Sequence, residues 1–170
     1  MKRLVLVLVC ALLLSSCATK SQSNSEFSAD DISFAEMMIP HHEQAIEMSE
    51  IALLNTTDTD VLQLAQEIKD AQSPEIELMM SWNGVQVSTH AGHMMDGMLS
   101  ANELSDLREA KDKEFDVLFL KGMIKHHEGA IQMAQDVAAS KNKDVANLSA
   151  SIISSQELEI SKMKELLTNY

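Results

Sequence analysis

The sequence is poor in cysteine, proline, glycine, aromatic residues and positive charge. Its two cysteines both lie within the first 17 of 170 residues, which excludes a disulfide-stabilised scaffold. Two prolines and five glycines are too few for a turn-rich β fold and favour long helices. Lys and Arg number 13 against 26 Asp and Glu, a net charge of −13 that excludes a general nucleic-acid binder, because such a protein needs a basic surface.

Methionine is abundant where aromatic residues are scarce. The chain has 12 Met but only four Phe, one Trp and one Tyr. Thioethers therefore supply an unusual share of the large apolar side chains, and they are also potential ligands for soft metal ions.

The first segment has the features of a bacterial lipoprotein signal. A positively charged start precedes an apolar run over residues 4–14, which is too short to span a membrane as a mature helix. The run ends in Leu14-Ser15-Ser16-Cys17, which resembles a lipobox. We expect a signal peptide over 1–16, acylation of Cys17 and a polar tether over 17–28. The alternative is an ordinary signal peptide with an incidental cysteine.

Cleavage at this point would leave 154 residues with a net charge of −15. The lipid-bearing cysteine would be the only one left, so the mature chain could form no internal disulfide. Ala18, rather than Asp, follows Cys17, which favours the outer membrane facing the periplasm. The membrane would be contacted through the lipid alone.

An internal repeat dominates the rest of the chain. The segment Asp31–Met48 matches Asp116–Met133 at an offset of 85, with ten identical positions. A second block, Gln72–Met79, matches Gln156–Met163 at an offset of 84. Two blocks in the same order at a nearly constant offset indicate a duplicated unit.

Each copy of the unit is predicted to form a helical hairpin, because its apolar residues recur with helical spacing. Repeat one covers residues 29–84, a connector covers 85–101 and repeat two covers 102–170. Two such hairpins predict an all-α fold, a ferritin-like four-helix bundle with pseudo-two-fold symmetry.

Capping signals predict where the helices begin. Ser28–Asp31 has the pattern of a capping box, and Thr57 with Asp60 is predicted to cap the second helix. Ser100–Glu103 is predicted to cap a short helix after the connector. The first long helix of repeat two is expected over about 111–139.

Each repeat carries two consecutive histidines, His41-His42 and His126-His127. Neighbouring helical positions lie about 100° apart, so the two histidines of a pair are expected to belong to different faces. His41 and His126 share the apolar stripe of their helices. His42 is predicted at the flank of the stripe, near Asp31 and Ser49.

Six methionines accompany the histidines, three residues before and seven after the first histidine of each pair, and once in the second helix of each hairpin. They are Met38, Met48, Met79, Met123, Met133 and Met163. The functional interpretation is that they form interior metal sites with the four histidines. The structural interpretation is that the methionines pack the core and that His41 and His126 bond to buried partners, with Glu75, Glu159, Gln72 and Gln156 as candidates.

The connector carries a second group of potential ligands. They are His90, His93, Met94, Met95 and Met98, five soft or borderline donors within nine residues. Long loops of this kind are often functional. We expect this segment to collect or pass on a metal ion, with a plain flexible linker as the alternative.

The donor types indicate the metal. Thioether with imidazole suits Cu(I) and by extension Ag(I), whereas imidazole with carboxylate suits Cu(II). A di-iron carboxylate site is disfavoured because no histidine has a Glu three residues before it. No Ser-His-Asp or Cys-His pattern is evident, so we expect a binding protein rather than an enzyme.

The doubled Asp-x-x-Phe-x-x-x-Met-Ile-x-His-His-x-x-Ala-Ile-x-Met motif resembles the bacterial family called domain of unknown function 305. Both Gln-x-x-Glu-Ile-x-x-Met blocks and the Asp96–Ser100 linker are similar to that family, and the resemblance covers about residues 27–168. It implies a ferritin-like helical bundle, and it implies metal ligands at the paired histidines and the six methionines given above. Some members, the CopM-like proteins, bind copper in the periplasm, so the resemblance implies sequestration, tolerance or handover of copper. A metal-free structural bundle is the alternative.

Overall fold

The computed structural model describes residues 26–87 and 94–170. The described part of the chain contains five α-helices and no strand, which confirms the all-α prediction. The signal peptide and Cys17 lie outside the described residues, as do His90 and His93. The helices are α1 (Ala29–Asn55), α2 (Thr59–Met80), α3 (Ala101–Glu109), α4 (Asp112–Asp136) and α5 (Lys143–Leu166), and a 3₁₀ turn follows over Leu167–Asn169.

Local capping explains where the helices begin. The Ser28 hydroxyl accepts from Asp31 N–H while the Asp31 carboxylate accepts from Ser28 N–H, which confirms the predicted capping box. Ser100 and Glu103 form a second box at the start of α3.

The predicted cap of α2 is wrong by one residue. Asp58, not Thr57, caps this helix, because its carboxylate accepts from the backbone N–H groups of Asp60 and Val61. An ionised carboxylate also interacts favourably with the positive end of the helix dipole. The long helix predicted over 111–139 begins one residue later and ends three residues earlier, at Asp136.

The helices pack as the predicted pair of hairpins. α1 lies along α2, α4 lies along α5, and α1 contacts α4 across the bundle, whereas α2 and α5 touch little. The C-terminal half of α1 packs with the N-terminal half of α4, so these two helices run antiparallel. A pseudo-two-fold axis therefore passes between α1 and α4 near their midpoints.

The core consists of two clusters related by this axis. At one end, which we call the α3 end, Met48, Met123 and Met163 pack with Phe119 and with Leu99 of the connector. At the other, the Trp82 end, Met38 and Met79 pack with Phe34 and Trp82, and Met133 lies at the edge. Phe27, within the predicted tether, stacks on Trp82 at a centroid distance of 4.9 Å.

The connector crosses the α1–α4 face between the two ends. The Gln44 amide clamps it on α1 by donating to Leu99 C=O at 3.0 Å and accepting from Leu99 N–H at 2.7 Å. On α4, a Cβ added to Gly129 would lie 1.9 Å from the backbone oxygen of Asp96. Gly97 has φ +86°, and a Cβ there would meet Lys125 O at 2.6 Å. Glycine at these two positions therefore lets the chain pass directly over α4.

Candidate metal centre

The four repeat histidines meet at the middle of the bundle. Each pair lies near the centre of its helix, α1 or α4, and all four side chains are fully buried. Because successive residues of a helix project about 100° apart, the first and second histidines have different neighbours. As predicted, the two histidines of a pair lie on different faces of their helix: the second contacts the other helix of its own hairpin, and the first contacts the opposite hairpin.

The second histidine of each pair contacts the other helix of its own hairpin. His42 Nε2 lies 2.8 Å from a Glu75 carboxylate oxygen on α2, and His127 Nε2 lies 2.7 Å from Glu159 on α5. The two glutamates are each 16% exposed. Because a carboxylate accepts, each Nε2 donates its proton to the glutamate, and each Nδ1 is left without a hydrogen-bond partner in the described part of the chain.

These contacts correct two expectations. The structural interpretation gave Glu75 and Glu159 among the candidate partners of His41 and His126, but they bond to His42 and His127. His42 also lies inside the hairpin rather than at the flank of the stripe. The helical stripe predicts which face is apolar, but it does not predict which partner helix a polar side chain reaches.

The first histidine of each pair faces its counterpart across the pseudo-two-fold axis. The rings of His41 and His126 lie 3.8 Å apart at their centroids, tilted by 42°. His41 Nε2 lies 3.1 Å from the backbone oxygen of Asp96. A carbonyl oxygen can only accept, so Nε2 of His41 is protonated and its Nδ1 carries the lone pair. Neither ring nitrogen of His126 makes a hydrogen bond within the described part of the chain.

Burial keeps this central pair neutral. Desolvation and, to a smaller extent, the neighbouring His42 together lower the pKa of His41 to about 3, against a weaker opposing effect of the Asp96 carbonyl. Desolvation also holds the pKa of His126 well below its usual value, helped by His41. Two neutral rings can stack closely, and each keeps one lone pair for a metal ion at any physiological pH.

All four Nδ1 atoms are buried without a hydrogen-bond partner among residues 26–87 and 94–170. In three of the rings the opposite nitrogen donates to a carboxylate or a carbonyl. Metal-binding histidines usually have this arrangement, because the second hydrogen bond fixes the ring and its tautomer. The donor set therefore fits a metal ion that prefers neutral nitrogen ligands.

The buried methionines do not gather around the histidines as one set. Met48, Met123 and Met163 belong to the α3 end, whereas Met38 and Met79 belong to the Trp82 end; these five are fully buried, and Met133 is half-buried. No group of three or more His, Cys, Asp or Glu side chains in the described residues is arranged as a ready-made metal site.

A second set of sulfurs lies on the surface. Met94 and Met95 of the connector line an open groove with Met133 of α4 and with Met37 of α1. Met98 lies elsewhere, where its carbonyl accepts from Lys125 at 3.3 Å. Met37 was not among the ligands predicted from the sequence. The repeat carried a signal, because Met37 stands opposite Gly122 directly before Met38-Ile39, which is identical to Met123-Ile124.

The fold and the buried imidazoles define a four-helix bundle with a histidine-centred pseudo-two-fold axis. The chain belongs to the family described as Domain of unknown function (DUF305), whose model matches residues 31–167. Among curated proteins, none matches the chain.

Three solved structures, of two relatives, share the fold. A DUF305 protein of Streptomyces coelicolor, described as secreted, is 31% identical with a TM-score of 0.75, and the match covers 84% of this chain and 95% of that one. CopM in its Cu(I)-bound form is 33% identical, TM-score 0.68, with 82% and 96% covered. CopM in its Cu(II)-bound form is 34% identical, TM-score 0.70, over the same shares. Within the described part of the chain, no helix is both long and apolar enough to cross a membrane.

Proposed function

We propose that this protein binds Cu(I) or Ag(I) through the buried imidazoles at the centre of the bundle, for sequestration, tolerance or handover of copper. The observation that carries the proposal is the set of four buried Nδ1 atoms that have no hydrogen-bond partner among the described residues. A buried polar atom left without a hydrogen bond costs free energy, so an arrangement of this kind is expected where a ligand completes it.

The site favours a monovalent soft ion over a divalent one. The central rings are neutral and fully buried, and a doubly charged ion would lose more hydration energy in such a place than a singly charged one. Imidazole nitrogen with nearby thioethers suits Cu(I) and Ag(I). The relative CopM has been solved with Cu(I), with Cu(II) and with silver, and the Cu(I) and silver forms support the monovalent ions proposed here.

The Glu75 and Glu159 carboxylates would strengthen the binding of such an ion without contacting it. Each accepts from the Nε2–H of a histidine and so makes the other nitrogen more basic. No nucleophile or redox partner accompanies the rings in the described residues, and we propose binding rather than catalysis.

We further propose that the protein is an envelope lipoprotein. The apolar run before Cys17, the small residues preceding that cysteine and the polar segment after it support acylation and a flexible attachment to the bundle. Ala18 supports the outer membrane, with the bundle in the periplasm.

A second candidate function is that of a metal-free structural bundle. The His42–Glu75 and His127–Glu159 contacts favour it, because each ties the two helices of one hairpin together. On this interpretation the central rings would be packing units, and no metal would alter them.

Titration with Ag(I) separates the two candidates. Full-length protein, labelled with ¹⁵N at histidine and purified in detergent, is titrated against a competing chelator. Binding at the centre should shift the ring nitrogens of His126, and the His126→Leu variant should lose tight binding. Phe119→Leu is the matched control, since it changes a buried side chain at the same interface without removing a donor.

The wild-type spectrum keeps the test decisive even if His126→Leu folds poorly. Ag(I) that binds while all histidine ring nitrogens stay unshifted would contradict the proposed site. A complete absence of tight binding would favour the structural bundle.

A further inference from the structure

A groove on the α1–α4 face brings four thioethers together at the protein surface. Met37 comes from α1, Met94 and Met95 from the connector and Met133 from α4. Asp96 and Asp136 line the same groove. Three separate segments thus place sulfur around one opening.

The repeat shows that packing does not require methionine here. The counterpart of Met37 is Gly122, and the space beside Gly122 is filled by Leu99, whose Cδ2 would lie 3.2 Å from an added Cβ. The counterpart of Met133 is Met48, which is fully buried. At the α3 end the equivalent positions are a glycine beside Leu99 and a fully buried methionine, whereas at the Trp82 end both are half-buried methionines that line an open groove.

The exposure of these sulfurs argues for a ligand. Met94 is 61% exposed, and Met95, Met37 and Met133 are half-buried. A flexible apolar side chain gains little from packing when water reaches it. Thioethers are neutral, soft ligands that need no deprotonation, and the two nearby carboxylates attract cations without competing for a soft ion.

The groove lies next to the buried histidines at Asp96. Asp96 lines the groove, and its backbone oxygen accepts from His41 Nε2 at 3.1 Å. An ion held by the sulfurs is therefore separated from the central rings by the connector backbone at Asp96 and Gly97.

We propose that Met37, Met94, Met95 and Met133 form a second, surface site for Cu(I) or Ag(I), and that this site delivers the ion to the buried histidines. The delivery step rests on the proposed function, whereas binding in the groove does not. In delivery the ion exchanges thioether sulfur for the Nδ1 lone pairs of the central rings, and the Nε2–H of His41 keeps its bond to the Asp96 carbonyl. No change of oxidation state is involved.

The test uses Ag(I) with full-length protein in detergent, labelled with ¹³C at the methionine methyl groups and ¹⁵N at histidine. The groove methyls should shift on addition of Ag(I), and before the ring nitrogens do. The triple variant Met37→Leu/Met94→Leu/Met133→Leu should bind one ion fewer. It should also load the buried site about tenfold more slowly, because the local concentration of the ion falls. Met80→Leu is the matched control, since Met80 is 51% exposed on α2 outside the groove.

The two proposals fail in different ways. If the groove methyls stay unshifted while the ring nitrogens respond, or if the triple variant binds as many ions as wild type, the surface site is wrong and the buried site stands. If the triple variant binds one ion fewer but loads the buried site at the wild-type rate, delivery is wrong. If the groove methyls respond and the rings do not, the surface site stands and delivery to the buried site is wrong. His126→Leu should keep the groove response and lose only the buried ion.

Discussion

The two ends of the bundle are built from equivalent repeat positions but are covered differently. At the α3 end, Leu99 and α3 close over the helices, and Met48 is fully buried. At the Trp82 end the equivalent Met133 is half-buried and lines an open groove. The connector joins the two repeats, and it packs Leu99 into the α3 end but leaves a groove open at the Trp82 end.

The difference shows how one chain can use the same repeat for packing and for ligand binding. The histidine pairs lie beside the pseudo-two-fold axis and are shared by both ends, whereas the four groove methionines lie at the Trp82 end. The following predictions test this comparison in metal-free protein, from the largest expected effect to the smallest.

The central pair, His41 and His126, should make the free energy of unfolding depend on pH. In the unfolded chain both central histidines titrate near their usual pKa of about 6.5, whereas in the folded chain the pKa of His41 is about 3 and that of His126 lies well below 6.5. Below pH 6.5 the unfolded state therefore binds more protons. The free energy of unfolding should fall by roughly 1 kcal/mol per pH unit for each histidine as the pH drops below 6.5, for His41 down to about pH 3, and it should level off above 6.5.

Urea unfolding at several pH values between 7.5 and 4.5 measures this slope. The control is His41→Phe/His126→Phe, which keeps two stacked rings but removes both titrating groups. Identical slopes in wild type and control would show that the central rings do not carry the pH dependence.

Truncation of equivalent methionines should separate the two ends. Met48→Ala removes a fully buried side chain and should lower the free energy of unfolding by about 2–5 kcal/mol. Met133→Ala should cost less than about 1 kcal/mol, because its side chain already meets water. Chemical denaturation of both variants gives the values. Equal losses would mean that the Trp82 end is as closely packed as the α3 end.

Replacing glycine by alanine on α4 should destabilise the protein where the connector backbone touches the helix, at Gly129, and should have little effect at Gly122. Gly129→Ala would place a Cβ 1.9 Å from a backbone oxygen, so the connector must shift, at a cost of about 1–3 kcal/mol that the better helix propensity of alanine offsets in part. At Gly122 the nearest atoms are side-chain ends of Leu99 and Met48, at 3.2 Å and 3.4 Å, which can yield. Gly122→Ala should therefore change stability by less than about 1 kcal/mol.

The His41 ring gives a second measurement for the glycine pair. Displacement of the Asp96 carbonyl should change the Nε2–H resonance of His41 in Gly129→Ala and leave it unchanged in Gly122→Ala. An unaltered His41 resonance in both variants would show that the connector is not held at Gly129.

Much of the fold could be predicted because its signals are local. Ser28 and Asp31 mark the start of α1 by side-chain bonds within one turn, and the repeat predicted two equivalent hairpins. The cap at Asp58 was missed because Thr57 and Asp58 both suit that position, and only the backbone geometry decides between them.

The sequence predicted which residues belong to the candidate site better than it predicted which of them contact one another. The sequence indicated His41 and His126 on the apolar stripe, and the structure buries both. It could not assign Glu75 to His42, because that contact depends on how α2 lies against α1. Met37 was missed as a ligand because its exposure depends on the path of a distant segment, residues 94–99.

The sequence by itself determined the repeat, the helices, the neutral soft donors and the excess of negative charge, since each depends on residue type or on spacing within a few turns. Only the tertiary structure decided that His41 stacks on His126, that the buried sulfurs divide between two ends and that the connector covers one end more fully than the other. These outcomes arise from contacts between residues more than 50 positions apart, such as Gln44 with Leu99, and helical periodicity carries no information about them.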